Sequence, residues 1–391
     1  MTKGNAVVAI TKHGTTIARR ILAGMDSVDV YYPERFARGD EDALGIHTYA
    51  DSVVAHVPHL FAAYDGIIGI FSLGAMVRLI APLLKDKKTD PAVVVIDDTA
   101  EHVISVLSGH LGGANELTHR VARVLNARPV ITTASDVGQT LAVDLFGRVF
   151  GFELDGDQHV TRVSAAVVNE ERIAIIQEAG EVDWWPYSKP LPSHFRVYTS
   201  CAEAALAGDA FDAALVITPR LLGAEEERRF LRPGVLYRPK VLVVGVGCNR
   251  NTPAEEIESV VCQVLRDHGW SERSVRTLAT IDLKADEAGL LEACRRRNWP
   301  LVTYKAEELN TVTIPHPSDM VFRYVGAYGV SEPAARLAAG ADDWLVEKVV
   351  SGNVTVSVCL WTDQTAAQSF GPSVNFDTEV QAPRTALGGA K

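Results

Sequence analysis

The run Ser108-Gly109-His110-Leu111-Gly112-Gly113-Ala114-Asn115-Glu116-Leu117 places a histidine among three glycines, beside a hydroxyl, an amide and a carboxylate. A β-branched run ends at Leu107 and an amphipathic segment starts near Ala114, so the glycines fall in a strand-to-helix turn. Glycine there lets the backbone take positive φ and come close to a ligand. Amides at a helix start lack intrahelical acceptors and favour an anion, such as a carboxylate or a developing oxyanion. His110 lies inside the turn and titrates near neutral pH, so it could act as base or acid. Ser108, Asn115 and Glu116 add a hydroxyl, an amide and a carboxylate. The same pattern also fits a plain turn with a solvent-facing histidine. It is neither a P-loop nor Gly-x-Gly-x-x-Gly, and Ser108 lacks the Gly-x-Ser-x-Gly frame.

Other groups are less specific. Thr132-Thr133-Ala134-Ser135-Asp136 offers three hydroxyls and a carboxylate at a strand end, or merely a cap for the next turn. Arg78, Lys85, Lys87 and Lys88 read as a solvated helix end or as a carboxylate clamp. Gly245-Val246-Gly247 is a lone Gly-x-Gly, and the loop after it carries Cys248, for which no base is evident. His56 and His59 share a helix face without a third ligand, which favours a surface role over a metal.

These residues need elements to position them. Strands are expected at Ala6–Ile10, Gly66–Phe71, Ala92–Ile96, Val103–Leu107 and Pro129–Thr132, and helices at Thr15–Leu22, Ala75–Leu84 and Ala114–Leu125. Strand–helix alternation implies a largely parallel sheet, whose ligand-binding loops lie at the carboxyl ends of strands. In the middle, Val163–Val168 and Ile173–Ile176 flank Asn169-Glu170-Glu171-Arg172 like a hairpin, and Phe211–Ile217 reads as a strand. The last part restarts with a strand at Val241–Val246. A helix then opens with Thr252 as N-cap, Pro253 first and Glu255 completing a capping box. A helix near Ala334–Ala339 and strands at Trp344–Lys348 and Val354–Leu360 close the pattern. The fold class is α/β, with parallel-sheet βαβ units in an N-terminal domain (1–136) and a C-terminal domain (239–361). A smaller α/β middle region (137–238) separates them, and a tail from residue 362 is expected to be disordered.

Composition narrows the partners. The chain has 391 residues, 47% of them hydrophobic, enough for more than one core. A net charge of −11 argues against nucleic acid or an anionic membrane as main partner. Five scattered cysteines without a Cys-x-x-Cys pair fit reduced thiols in a cytoplasmic protein. The amino terminus lacks a signal-peptide pattern. Ile67–Leu84 is broken by Ser72, Gly74, Arg78 and Pro82, so it is not read as a membrane span.

Taken in order, the segments resemble the cobalt-precorrin-5A hydrolases of anaerobic cobalamin synthesis. The resemblance is carried by Ile80–Lys87, Asp90–Asp97, Ser108–Leu117, Pro129–Asp136, Gly245–Cys248, Leu278–Lys284 and Gly352–Val356, across about residues 5–360. Phe71-Ser72-Leu73-Gly74-Ala75 departs from the family's glycine-rich loop, and Ser135 stands where threonine is frequent. The resemblance implies opening of the ring-A acetate δ-lactone of a cobalt-containing macrocycle and loss of a two-carbon fragment as acetaldehyde. Cobalt arrives inside the substrate, so no separate cofactor or protein metal site is expected. The partner is the corrinoid itself, with contacts to other enzymes of the pathway a further expectation. For that chemistry His110 is expected as base and the amides of Gly112 and Gly113 as oxyanion donors, with Ser108, Asn115 and Glu116 beside them. Arg78, Lys85, Lys284 and Lys348 are expected to clamp substrate carboxylates, with Gly109, Thr132, Thr133, Asp136, Gly245 and Gly247 as further contacts. The alternatives are another corrinoid enzyme, such as a methyltransferase, or a carrier that binds without turnover.

Overall fold

The structure, a computed structural model, describes residues 4–362; the tail expected beyond them lies outside the described residues. The chain folds into two compact units that divide after Leu145.

The first unit is built on strands Asn5–Ala9 (β1), Val28–Pro33 (β2), His47–Tyr49 (β3), Gly66–Ile70 (β4), Ala92–Ile96 (β5), His102–Leu107 (β6) and Arg128–Val130 (β7). They form one sheet in the order β3-β2-β1-β4-β5-β6-β7. Every residue of β4 and β5 is buried, as expected when helices cover both faces of a parallel sheet. Helices Lys12–Gly24 and Ala114–Leu125 pack on one face through Ile17, Ile21, Leu117 and Val121. Helices Val53–Ala63 and Leu73–Ile80 pack on the other through Val57, Leu60, Met76 and Ile80.

All neighbours in this sheet are parallel except β5 and β6, which run antiparallel with Val93 opposite Leu107. Strand β7 is again parallel to β6. The carboxyl ends of β6 and β7 therefore lie at the sheet edge where β1, β4 and β5 begin. The turn after Leu107 is at a strand's carboxyl end, but at the opposite edge from the loops that follow β1 and β4.

The second unit holds two five-stranded sheets. One contains Glu153–Leu154 (β8), Ile173–Gln177 (β9), Phe195–Tyr198 (β10), Ala213–Ile217 (β11) and Gly234–Arg238 (β12), in the order β10-β9-β11-β12-β8 with only β8 antiparallel. The other contains Leu242–Cys248 (β13), Val275–Ile281 (β14), Leu301–Tyr304 (β15), Val346–Ser351 (β16) and Val354–Leu360 (β17), in the order β15-β14-β13-β17-β16. Here β13, β14 and β15 are parallel, and β17 returns antiparallel to β13. Arg238, 4% exposed, ties together the ends of its own sheet: it donates to the carbonyls of Thr218 and Arg220 after β11 and, at 2.6 Å, to Asp155 after β8. Asp155 also receives Arg273 at 2.7 Å.

Two local expectations fail. Val163–Val168 is not half of a hairpin but part of the helix Val160–Val168, which buries Val160, Val163, Ala166 and Val167. That three-to-four spacing is helical, and packing overrides the β-branched content. The expected capping box at Thr252 does not form either. The helix Ala254–Asp267 has Pro253 as its N-cap with no side-chain cap, Thr252 donates back to the Asn249 carbonyl, and Glu255 pairs with Arg296. Among the described residues, no helix is long and apolar enough to cross a membrane.

Candidate active site

The turn between β6 and the helix Ala114–Leu125 closes on itself. Ser108 takes φ +57° and Gly113 φ +84°, the left-handed conformation that glycine adopts without steric cost. A Cβ on Gly112 would meet that of Ser108 at 2.3 Å, so only glycine fits there. The amide of Gly113 donates to the His110 carbonyl, that of Ala114 to Ser108 and that of Asn115 to Gly109. The expectation that Gly113 offers an oxyanion donor is thus corrected: its N–H holds the turn together. The amides of Leu111 and Gly112 have no acceptor among the described residues.

His110 stands at the centre of a polar cluster. Its Nδ1 lies 3.1 Å from Asp144 Oδ1. Its Nε2 lies 3.0 Å from both Asp136 Oδ2 and Ser135 Oγ. The His110 side chain is 18% exposed and that of Asp136 43%, so the Nε2 side of the cluster is the open one. The Asp144 carboxylate, with Asp136 adding to it, raises the His110 pKa above its ordinary 6.5 despite burial. Burial pushes Asp144 up, but its bond and attraction to His110, with a backbone hydrogen bond and Lys87, together outweigh this and the carboxyl ends below its ordinary value. The two carboxylates thus favour the imidazolium form of His110 over what a free imidazole would show.

Asn115 positions this cluster rather than serving as a reactant. It is buried at 6% exposure, accepts from Ser105 Oγ at 2.7 Å, and donates to Thr133 Oγ1 at 2.9 Å and Asp136 Oδ2 at 3.0 Å. Ser108 is likewise structural, its hydroxyl donating to the Asp90 carbonyl. The carboxylate of Asp90 accepts the Lys85 amide in turn, which ties the start of the basic run to the turn. Lys87 acts electrostatically on Asp144. Glu116 is exposed in the first helical turn, with no bond to the cluster among the described residues. Arg78 is exposed on its own helix and donates only to Gly74 there. Thr132 is exposed.

The remaining expected contacts lie in the second unit. Gly247, Lys284 and Lys348 line one cleft together. Gly245 does not: a Cβ there would meet the Ser331 carbonyl at 1.8 Å, so its role is to let the helix Ser331–Ala339 approach the sheet. Burial raises the pKa of the Cys248 thiol, which disfavours a nucleophile. His56 stacks on Tyr49 at 4.4 Å. Among the described residues, one group has metal-ligand spacing, Glu178, Cys201 and Glu226. Arg220 bridges its two carboxylates at 2.6 and 3.0 Å and supplies the positive charge itself.

The chain matches the family models over most of its length. Residues 55–136 match the model described as Cobalamin synthesis G N-terminal, 141–239 the Cobalamin biosynthesis central region, and 242–359 the Cobalamin synthesis G C-terminus. It is 56% identical over 355 residues to a cobalt-precorrin-5A hydrolase of Priestia megaterium, covering 91% of this chain and 94% of that one. The chain belongs to the cobalamin synthesis G family. The cobalt-precorrin-5A hydrolase of Salmonella typhimurium is 29% identical over 344 residues, covering 85% of this chain and 91% of that one. Protein CobE of Sinorhizobium sp is 37% identical over 120 residues, 30% of this chain and 78% of that one. The family resemblance drawn from the motifs in order is thereby shown.

The sequence reading missed two members of the cluster. Ser135 was visible as one of three hydroxyls in a run that could equally be a cap, and was given no role of its own. Asp144 sits in an irregular stretch, 34 residues from His110, and no local pattern marks it.

Proposed function

We infer that this chain is a cobalt-precorrin-5A hydrolase, opening the ring-A δ-lactone of a cobalt-corrinoid with loss of acetaldehyde. The observation that carries the chemistry is His110, anchored at Nδ1 by Asp144 and facing the more exposed Asp136 at Nε2, in a turn where two amides have no acceptor among the described residues.

In its neutral form His110 keeps Nδ1–H on Asp144 and takes a proton from water at Nε2. The hydroxide oxygen bonds to the lactone carbonyl carbon, and the tetrahedral oxyanion rests on the amides of Leu111 and Gly112. When the carbonyl re-forms, the ring oxygen leaves and takes the proton back from His110. The product is a carboxylic acid, which ionises by giving its proton to solvent, and a hydroxyl on the former meso carbon. Removal of that hydroxyl proton makes the carbonyl of acetaldehyde as the carbon–carbon bond breaks, and the electron pair passes to the macrocycle. Asp136, more exposed than His110, is the acceptor for this second proton. The basic run at Lys85–Lys88 suits the substrate's acetates and propionates.

Cobalt belongs to the substrate on this reading, and no further cofactor is invoked. The pathway enzymes that supply and consume the macrocycle are the expected transient partners. The cytoplasm is the expected compartment, in keeping with five free cysteines. The test is incubation of the pure protein with cobalt-precorrin-5A while acetaldehyde is trapped. Stoichiometric release supports the reading, and tight binding without release replaces it with a carrier.

A further inference from the structure

The carboxyl ends of β13 and β14 open onto a cleft of about 310 Å³. Gly247 and Cys248 end β13 there, Lys284 follows β14, and Thr355 enters on the antiparallel β17. This is the edge at which open parallel sheets bind ligands. One wall is the helix Asp319–Val325, none of whose residues is buried. Its Met320 and Tyr324 line the cleft while 69% and 83% exposed, and apolar side chains grouped at the mouth of a cleft mark an interaction site.

The two lysines differ. Lys284 is buried and its Nζ lies 3.1 Å from Glu287, so its charge is already matched. Lys348 is half-buried, and among the described residues no hydrogen bond or ion pair engages its ammonium. A part-desolvated cation without a partner favours an incoming carboxylate.

We propose that this cleft binds one edge of the corrinoid, with an acetate or propionate on Lys348 and the adjoining ring against Met320 and Tyr324. The proposal rests on the corrinoid reading above for the ligand's identity. The volume is at the lower end for small-molecule pockets. It suits one five-membered ring with its side chains, leaving the rest of the macrocycle over the exposed helix.

The probes are cobyrinic acid, whose side chains are free carboxylates, and cobinamide, whose side chains are amides, each measured by equilibrium dialysis against the full chain. Cobyrinic acid is expected to bind, and Lys348→Met to weaken it about tenfold or more while leaving cobinamide unchanged. Tyr324→Ser, at an exposed position that folding does not need, is expected to weaken both about fivefold. Equal affinity of cobyrinic acid for wild type and both variants would overturn the proposal. Turnover of cobalt-precorrin-5A separates the two readings. A wild type that releases no acetaldehyde, yet binds cobyrinic acid through Lys348, keeps the cleft and loses the hydrolase. A wild type that turns over, with cobyrinic acid binding unmoved by either substitution, keeps the hydrolase and loses the cleft.

Discussion

An imidazole held at both nitrogens by carboxylates is a weak base until it gives up a proton, and this sets the pH behaviour expected of His110. Its raised pKa places the working, neutral form above pH 6.5, so kcat/KM is expected to rise along a limb centred above that value. Asp144, the largest cause of the shift, and then Asp136 can be removed in turn. Asp144→Asn and Asp136→Asn should each move the limb toward lower pH, the first further, and the pH–rate profile reads both. The same pair bears on stability. His110, raised in the fold, stabilises fully below its unfolded value of 6.5 and loses that contribution as pH rises through its folded pKa. Asp144, lowered in the fold, stabilises fully above 3.8 and loses it as pH falls through its folded pKa. The contribution is therefore greatest between these limits, and denaturant melts across pH should show it shrink in Asp144→Asn. His110 was legible in the sequence because glycines and a helix start surround it. Its partners were not: Asp144 is brought in by the path of the chain, and whether an amide in the turn is free depends on backbone bonds that composition does not encode.

Strand direction decides where that turn lies. The order of β-branched runs and amphipathic segments was enough to anticipate sheets covered by helices, and Ala114–Leu125 and Val354–Leu360 fall where the periodicity puts them. That β6 runs against β5 was also within reach, because the five residues between them are too few for a parallel crossover, but the strand–helix alternation was read over it. The helix Val160–Val168 was misread because a valine-rich segment fits either period until its packing partner is known. Two substitutions test the packing. Gly245→Ala must push the helix Ser331–Ala339 off its sheet, since the obstacle is a backbone carbonyl at 1.8 Å, and should cost about 2 kcal/mol or more in thermal or denaturant melts. Arg238→Met takes one of two arginines from Asp155, which keeps Arg273, and leaves the carbonyls of Thr218 and Arg220 without their donor. It should cost about 1–3 kcal/mol, read by denaturant unfolding of the second unit.

Over the whole chain, ordered motifs and a long alignment carry more than any single element. A protein with net charge −11 that handles a polyanionic substrate must gather its cations locally. The proposed places are Lys85–Lys88 in the first unit and Lys348 in the second, since Glu287 already matches Lys284. The account stands or falls on His110, and the most direct measurement is single-turnover release of acetaldehyde from cobalt-precorrin-5A by wild type and His110→Gln. The prediction is a fall of about 10²- to 10⁴-fold, with lactone opening slowed in step and the fold unchanged by circular dichroism. Release by His110→Gln within a few-fold of wild type, at about the same pH optimum, would contradict it.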